Sequence, residues 1–74
     1  MITPKQLRAR MRARPFKPFR VHLSGGSSHD VVNPEAAFVT AASFNIGVDI
    51  DAAGFASDIV RCALKHITKV EDMD

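Results

Sequence analysis

Two prolines most constrain how this chain can fold, because they separate a helix-like segment from a strand-like one. They stand at the first and fourth positions of PFKPFR, residues 15–20. A proline lacks an amide hydrogen and disfavours helical geometry in the residue before it. We therefore expect a helix to end before Pro15, an extended connector to cover residues 15–18, and a strand to begin at Phe19.

The segment before the prolines carries several signals of a helix start. Thr3 is a favourable N-cap, Pro4 suits the first helical position, and Gln6 stands three residues after the cap, as in a capping box. Together these signals predict a helix over residues 4–13.

The predicted helix is strongly basic outside a thin apolar stripe of Leu7 and Met11, through which we expect it to pack, with its arginines in solvent. Residues 1–20 contain seven basic and no acidic side chains, whereas residues 21–74 contain three basic and eight acidic ones. Positive charge concentrated in one part of the chain can steer an anionic partner towards it, or can bind an acidic surface of the same or a neighbouring chain. The candidate contacts to an anion or a nucleic acid are Arg8, Arg10, Arg12, Arg14, Lys17 and Arg20.

The residues after the connector alternate between apolar and polar types, which is typical of half-buried strands. The first strand carries Phe19, Val21 and Leu23 on one face. Glycines at 25 and 26 mark a turn, of two residues or of three (25–27), and a second strand follows to residue 33. Further strands are predicted over residues 38–40, 43–48, 58–63 and 68–71, with a loop over 49–57 and a tight turn over 64–67.

The length of that turn decides which residues of the first hairpin face each other. A two-residue turn would place Val21 opposite Asp30. A three-residue loop with a bulge would place Val21 opposite Val31 and His22 opposite Asp30. We prefer the second register, which turns His29 inward and leaves the His22/Asp30 pair outside.

A helix followed by five or six short strands predicts a mainly β protein of the α+β class. We expect one domain over residues 1–74, in which residues 19–71 form a small, strongly bent, five- to six-stranded antiparallel barrel of the SH3 or Sm type. An acidic tail follows at 72–74. An open antiparallel sheet capped by the helix is the alternative. So short a chain buries only roughly 60% of its unfolded surface, so self-association would help to stabilise it.

Three segments, PFKPFRVHLSGG, VVNPEAAFV and LKHITKVE, resemble a group of short bacterial proteins without assigned function. That group has a basic N-terminal helix and RPFxPFxIHLxDG-like, xxHPEFxxV-like and LxHITxIE-like segments. Gly25, His29 and Asn33 depart from this outline, which more often has an aspartate, an aromatic residue and a histidine there. The resemblance implies a domain of the same outline and no particular activity.

The order of elements is also similar to the Sm-like RNA-binding fold, which has an N-terminal helix, bent strands and a tight turn before the last strand. LKHITKVE takes the place of the second Sm motif but lacks that motif's glycine. The conventional RNA-contacting residues of that family therefore cannot be carried over to positions of this sequence.

No residues stand in a pattern typical of catalysis, of cofactor binding or of a metal site, so we predict that the protein is not an enzyme and holds no cofactor. Cys62 is the only cysteine and lies in an alternation typical of core residues. SGGSS joins two strands and lacks the GK[ST] of a phosphate-binding loop. The histidines lack metal-ligand spacing, and we expect His29 and His66 to be partly buried.

The small core, the thin helix stripe and the opposite charges of the two halves favour a module that binds a protein partner or a second copy of itself. Nucleic-acid binding through the basic helix, RNA above all, is the alternative. Phe16 could stack on a base, but both phenylalanines of PFKPFR are better explained as structural anchors.

Without a signal peptide, a membrane span or paired cysteines, we expect a cytoplasmic protein with no membrane partner and no small-molecule substrate.

Overall fold

The computed structural model describes residues 2–73, which form one helix and six antiparallel strands in two three-stranded sheets. This confirms a mainly β, α+β protein. The helix is α1 (Pro4–Arg12), and the strands are β1 (Phe19–Leu23), β2 (Ser28–Val31), β3 (Ala37–Val39), β4 (Ser43–Ile50), β5 (Ala56–Ala63) and β6 (Ile67–Asp72). Two short 3₁₀ turns, Pro34–Ala36 and Leu64–His66, precede β3 and β6. In the described range no helix is both long and apolar enough to cross a membrane.

The predicted start of α1 is confirmed. Thr3 Oγ1 accepts a hydrogen bond from the Gln6 amide at 3.2 Å, and Gln6 Oε1 accepts one from the Thr3 amide at 2.8 Å, which together form a capping box. The helix ends at Arg12, one residue before the predicted end. Leu7 is fully buried and Met11 packs against the core, so the predicted apolar stripe is also confirmed.

One core lies between the two sheets and under α1. The sheet orders are β2–β1–β6 and β3–β4–β5, and the rings of Phe19 on β1 and Phe44 on β4 stack with centroids 6.1 Å apart. Phe16 packs against this core with its ring centroid 6.1 Å from that of Phe19, so both phenylalanines of PFKPFR are structural anchors, as predicted. The buried apolar residues are Leu7, Phe19, Val21, Val31, Phe44, Ile46, Cys62, Leu64 and Ile67.

The expected closed barrel is wrong, because within residues 2–73 the two sheets do not join into one ladder. The chain passes between the sheets through the two 3₁₀ turns. At the first turn, Pro34 has no amide hydrogen, and the Glu35 amide donates to Asn33 Oδ1 at 2.9 Å. Neither residue can therefore extend the ladder of β2 into β3.

The register of the β1–β2 hairpin differs from both predicted registers. Val21 lies opposite His29, and Arg20 lies opposite Asp30. His29 therefore shares the face of the buried Val21, as preferred, but the expected His22/Asp30 pair does not form. Asp30 is instead the partner of Arg20.

The hairpin loop has three residues, as preferred, but it spans 24–26 instead of 25–27. The Leu23 amide donates to Ser27 O at 2.9 Å, and the Gly26 amide donates to Leu23 O at 3.0 Å. Gly26 has a φ of 93°, the left-handed conformation that glycine adopts at little cost. This is a type I turn followed by a glycine bulge.

The loop predicted over 49–57 is shorter than expected, because β4 extends to Ile50 and β5 begins at Ala56, which leaves only residues 51–55 outside the strands. The turn between them repeats the geometry of the first hairpin. The Asp51 amide donates to Phe55 O at 2.9 Å, and the Gly54 amide donates to Asp51 O at 3.0 Å. Gly54 has a φ of 92°. Asp51 Oδ1 also accepts the Phe55 amide at 2.9 Å, which fixes the turn.

The other predicted strands are present with shifted ends. β4 turns its predicted apolar face to the core. β6 runs to Asp72, into the segment expected to be an acidic tail, and the Met73 amide donates to Pro18 O at 3.3 Å. Asp74, the end of that predicted tail, lies outside the described residues.

Candidate functional site

The six basic candidates do not form one surface, because three of them bind other parts of this chain. Arg10 Nη1 donates to Asp72 Oδ1 at 2.7 Å, and its guanidinium carbon lies 5.3 Å from the centroid of the Phe19 ring. Arg10 is therefore partly buried against the body, where the sequence analysis placed it in solvent. Its contact fastens α1 to the last strand.

Arg20 and Arg14 also have partners within the chain. Arg20 donates to both carboxylate oxygens of Asp30, from Nε at 2.6 Å and from Nη2 at 3.3 Å. Arg14 Nη1 donates to the carbonyl oxygens of Met11 at 3.3 Å and Ala13 at 2.8 Å. These carbonyls belong to the C-terminal end of α1, where a cation is favourable.

The Arg10–Asp72 and Arg20–Asp30 ion pairs each lower the pKa of their carboxylate. The hydrogen bond from Arg10 holds the pKa of Asp72 below its ordinary value, and the hydrogen bond from Arg20 does the same for the pKa of Asp30. The same hydrogen bond raises the pKa of the Arg20 guanidinium. Both carboxylates are therefore ionised at neutral pH.

The histidines are dispersed. His22 Nε2 lies 2.8 Å from Glu71 Oε1, and this hydrogen bond, helped by the charge of Lys69, lowers the pKa of Glu71. His29 is half-buried, as expected, whereas His66 is exposed, which corrects the prediction for that residue. In the described part of the chain, no three His, Cys, Asp or Glu side chains are grouped so that they could hold a metal ion.

Cys62 is buried in the core, as predicted, and burial raises the pKa of its thiol. A thiol whose pKa is raised is a weak nucleophile at neutral pH. SGGSS forms the turn between β1 and β2, also as predicted.

Three basic side chains lie along one side of α1. Lys5, Arg8 and Arg12 follow a spacing of three and four residues, which places them on one face of the helix, and all three are exposed. Lys17, in the connector, is exposed as well. Within residues 2–73 none of these four forms an ion pair. We call Lys5, Arg8 and Arg12 the basic stripe; the sequence analysis did not include Lys5.

A second surface lies on the outer face of the β3–β4–β5 sheet. Phe38, Ile59 and Phe55 are 55%, 52% and 71% exposed and line an open groove of about 530 Å³. Alternation along the strands turns Phe44 and Ile46 of β4 to the core, so the groove lies on the opposite face. We call this surface the apolar groove.

Gly47 forms part of the lining of the apolar groove and lies opposite Ile59 on β5. A Cβ at this position would lie 2.8 Å from Ala56 Cβ and 2.9 Å from the Ala36 carbonyl oxygen. The backbone therefore approaches more closely here than any residue with a side chain would allow.

Two carboxylates edge the apolar groove. Glu35, in the 3₁₀ turn before β3, and Asp58, on β5, both line it and are exposed. Asp49 and Asp51 are exposed in the same β4–β5 hairpin. None of these four forms an ion pair with a residue in the described range. We call Glu35 and Asp58 the acidic rim.

The apolar groove was not predicted from the sequence, although one signal of it was present. Val60 and Cys62 of β5 face the core, so alternation assigns Ile59 to the outer face, where a polar residue is usual. An apolar residue out of phase with the core indicates a second apolar surface.

No protein-family model, curated protein or solved structure matches this chain. Within residues 2–73, the basic stripe and the apolar groove with its acidic rim are two surfaces that form no ion pair with the rest of the chain. The stripe can bind anionic groups. The groove can bury apolar side chains, and its rim can bind the cations that accompany them.

Proposed function

We propose that this protein is a non-enzymatic module that works through protein contacts, with further copies of itself as its partner. The observation that carries the proposal is the apolar groove, where Phe38, Phe55 and Ile59 are each more than half exposed. Large apolar side chains gathered on one surface are typical of an interaction site. Burying them would contribute about 25 cal/mol for each Å² of apolar surface removed from water.

The size of the core also favours association. A single core in a chain of this length rarely supplies more than roughly 3–5 kcal/mol of stability. Binding another copy stabilises the folded state by mass action. The strand β5 forms an edge of its sheet, and such edges are a further place at which chains pair.

We expect the mean mass of the protein to rise with concentration between the low micromolar and the millimolar range, as measured by sedimentation equilibrium. Phe38→Ser and Ile59→Ser should each raise the apparent dissociation constant by about tenfold or more. The reason is that burial of one large apolar side chain contributes about 1.5–3 kcal/mol, and about 1.4 kcal/mol corresponds to a factor of ten.

Val32→Ser is the matched control for these variants. Val32 is 57% exposed but does not line the apolar groove, so its loss should leave the association unchanged. Wild-type protein that stays monomeric over the whole range would overturn self-association. An equal loss in all three variants would show that general hydrophobicity, and not the groove, drives it.

A second candidate function is nucleic-acid binding, which the basic stripe supports. Lys5, Arg8 and Arg12 are exposed on one face of α1 and have no ion-pair partner within residues 2–73. Cations in this arrangement can contact successive phosphates without reading the sequence. Arg10 and Arg20, which the sequence analysis included, are held by Asp72 and Asp30 and contribute less.

If the stripe binds nucleic acid, labelled single-stranded RNA should bind at low salt and be released at higher salt. Arg8→Gln/Arg12→Gln should lower the slope of log K against log salt by about 1.4, at about 0.7 for each phosphate contact. Arg61→Gln/Lys65→Gln removes the same charge from two exposed positions away from α1 and is the control. Absence of binding at low salt, or an equal effect of both double variants, excludes the stripe as a nucleic-acid site.

A further inference from the structure

We propose that the apolar groove of one copy binds the basic stripe of another, so that copies associate head to tail. This inference rests on the self-association proposed above and names the two surfaces that carry it. The groove side consists of Phe38, Phe55 and Ile59 with the acidic rim, and the helix side consists of the basic stripe.

The distribution of unpaired charge favours this pairing. The ion pairs of the described chain, Arg10–Asp72, Arg20–Asp30 and Lys69–Glu71, all involve the β2–β1–β6 sheet, as does the His22–Glu71 hydrogen bond. The charges that these contacts leave unpaired are clustered by sign on two surfaces, apart from Lys17 in the connector, Arg61 on β5 and Lys65 in the turn after it. Positive charge remains on the outer side of α1, and negative charge remains around the groove and the β4–β5 hairpin. Two surfaces of opposite sign on one molecule attract each other between copies.

Intramolecular contact between these surfaces is excluded by the fold. Leu7 of α1 is buried in the same core as Phe44 of β4, whereas Phe38 and Gly47 face the groove on the other side of the sheet. The helix is also fastened by the Arg10–Asp72 contact. The stripe of one copy can therefore reach a groove only in another copy.

The chain already contains the kind of contact that the interface would repeat. Arg10 lies over the Phe19 ring and donates to Asp72, so one guanidinium binds an aromatic face and a carboxylate together. The groove presents Phe38 and Phe55 beside the acidic rim. Arginines of the stripe can lay their aliphatic stems on these rings and direct their guanidinium groups to the carboxylates.

The helix surface next to the stripe allows a close approach. Ala9 and Ala13 are exposed beside Arg8 and Arg12, and neither has a side chain long enough to hold the helix away from the groove. The contact uses different surfaces on the two copies, so it leaves one free groove and one free stripe at the ends. Such a heterologous contact builds a ring or an open chain of copies.

Charge reversal on each side separately provides the test, with mass measured by sedimentation and folding checked by circular dichroism. The helix variant Arg8→Glu/Arg12→Glu and the groove variant Glu35→Lys/Asp58→Lys should each raise the apparent dissociation constant more than about tenfold, because like charges then face each other. An equimolar mixture of the two variants should associate again, since each stripe then meets a groove of opposite charge. The chain that carries all four substitutions should also associate alone.

Lys65→Glu/Lys69→Glu is the control, because it changes the net charge by the same amount as the helix variant at exposed positions that belong neither to α1 nor to the lining of the groove. It should associate like the wild type. If the wild type never associates, both this inference and the proposed self-assembly are overturned. If the wild type associates but the charge variants associate equally well, or the mixture does not recover, self-assembly stands and the stripe-to-groove contact is wrong.

Discussion

Phe19→Ala should lower the free energy of unfolding by about 3–5 kcal/mol, the usual cost of removing a buried phenylalanine side chain. Phe19 is fully buried, stacks on Phe44 and packs against Phe16, and its ring also carries the Arg10 guanidinium. The cavity left by alanine would separate the two sheets at the point where they meet. It would also remove the surface on which α1 is fastened.

Urea unfolding followed by circular dichroism measures this loss. Because the expected loss equals the roughly 3–5 kcal/mol that a core of this size supplies, Phe19→Ala should be mostly unfolded in water. Trimethylamine N-oxide, which favours the folded state, restores a measurable transition. Phe55→Ala makes the same change at a side chain that is 71% exposed and should leave the stability nearly unchanged. A loss below about 1 kcal/mol for Phe19→Ala would mean that the inter-sheet contact is not what holds the core together.

The local signals of the sequence were sufficient for the helix and for the path of the first strand. Thr3, Pro4 and Gln6 define the start of α1 through contacts within one turn, and Pro15 and Pro18 act on their own backbone. Such effects depend only on residues close by in the sequence, so they can be predicted without knowledge of the fold. Alternation likewise placed Phe19 in the core and Cys62 with it.

The turns were harder to predict from the sequence, because each can be placed at two positions that differ by one residue. Gly25 and Gly26 both suit a left-handed position, and only Gly26 adopts it. A shift of one residue changes every cross-strand pair, which is why Asp30 was assigned to His22 and not to Arg20. In the second hairpin, Gly54 carried the same turn signal, but the acidic residues around it suggested a loop.

Neither closure of the barrel nor the binding partners of the arginines could be predicted from the sequence, because both depend on contacts between distant segments. Whether strands of two sheets pair at their edges is decided by the geometry of the whole core. Arg10 meets Asp72 across 62 positions of the chain. A count of charges shows that such pairs can form but not which residues form them. The apolar groove was missed for a related reason, since it exists only where β3, β4 and β5 come together.

Gly47→Ala should destabilise the protein by about 1–3 kcal/mol, because the added methyl group enters a space that is already filled. Its Cβ would lie 2.8 Å from Ala56 Cβ and 2.9 Å from the Ala36 carbonyl oxygen, and both neighbours belong to small residues that cannot rotate away. The backbone itself would have to move. Because the same segments line the apolar groove, the variant that remains folded should also associate less well.

Gly25→Ala is the matched control, since nothing lies within 4 Å of a Cβ built at that position and its backbone is not left-handed. Its effect on stability should stay within about 0.5 kcal/mol. Thermal unfolding of the two variants and the wild type at one low protein concentration separates the steric effect from any stabilisation by association. If Gly47→Ala unfolds at the same temperature as Gly25→Ala, the sheet is loose enough at this point to absorb a methyl group. The close packing of the β4–β5 hairpin over position 47 would then not be what shapes the groove.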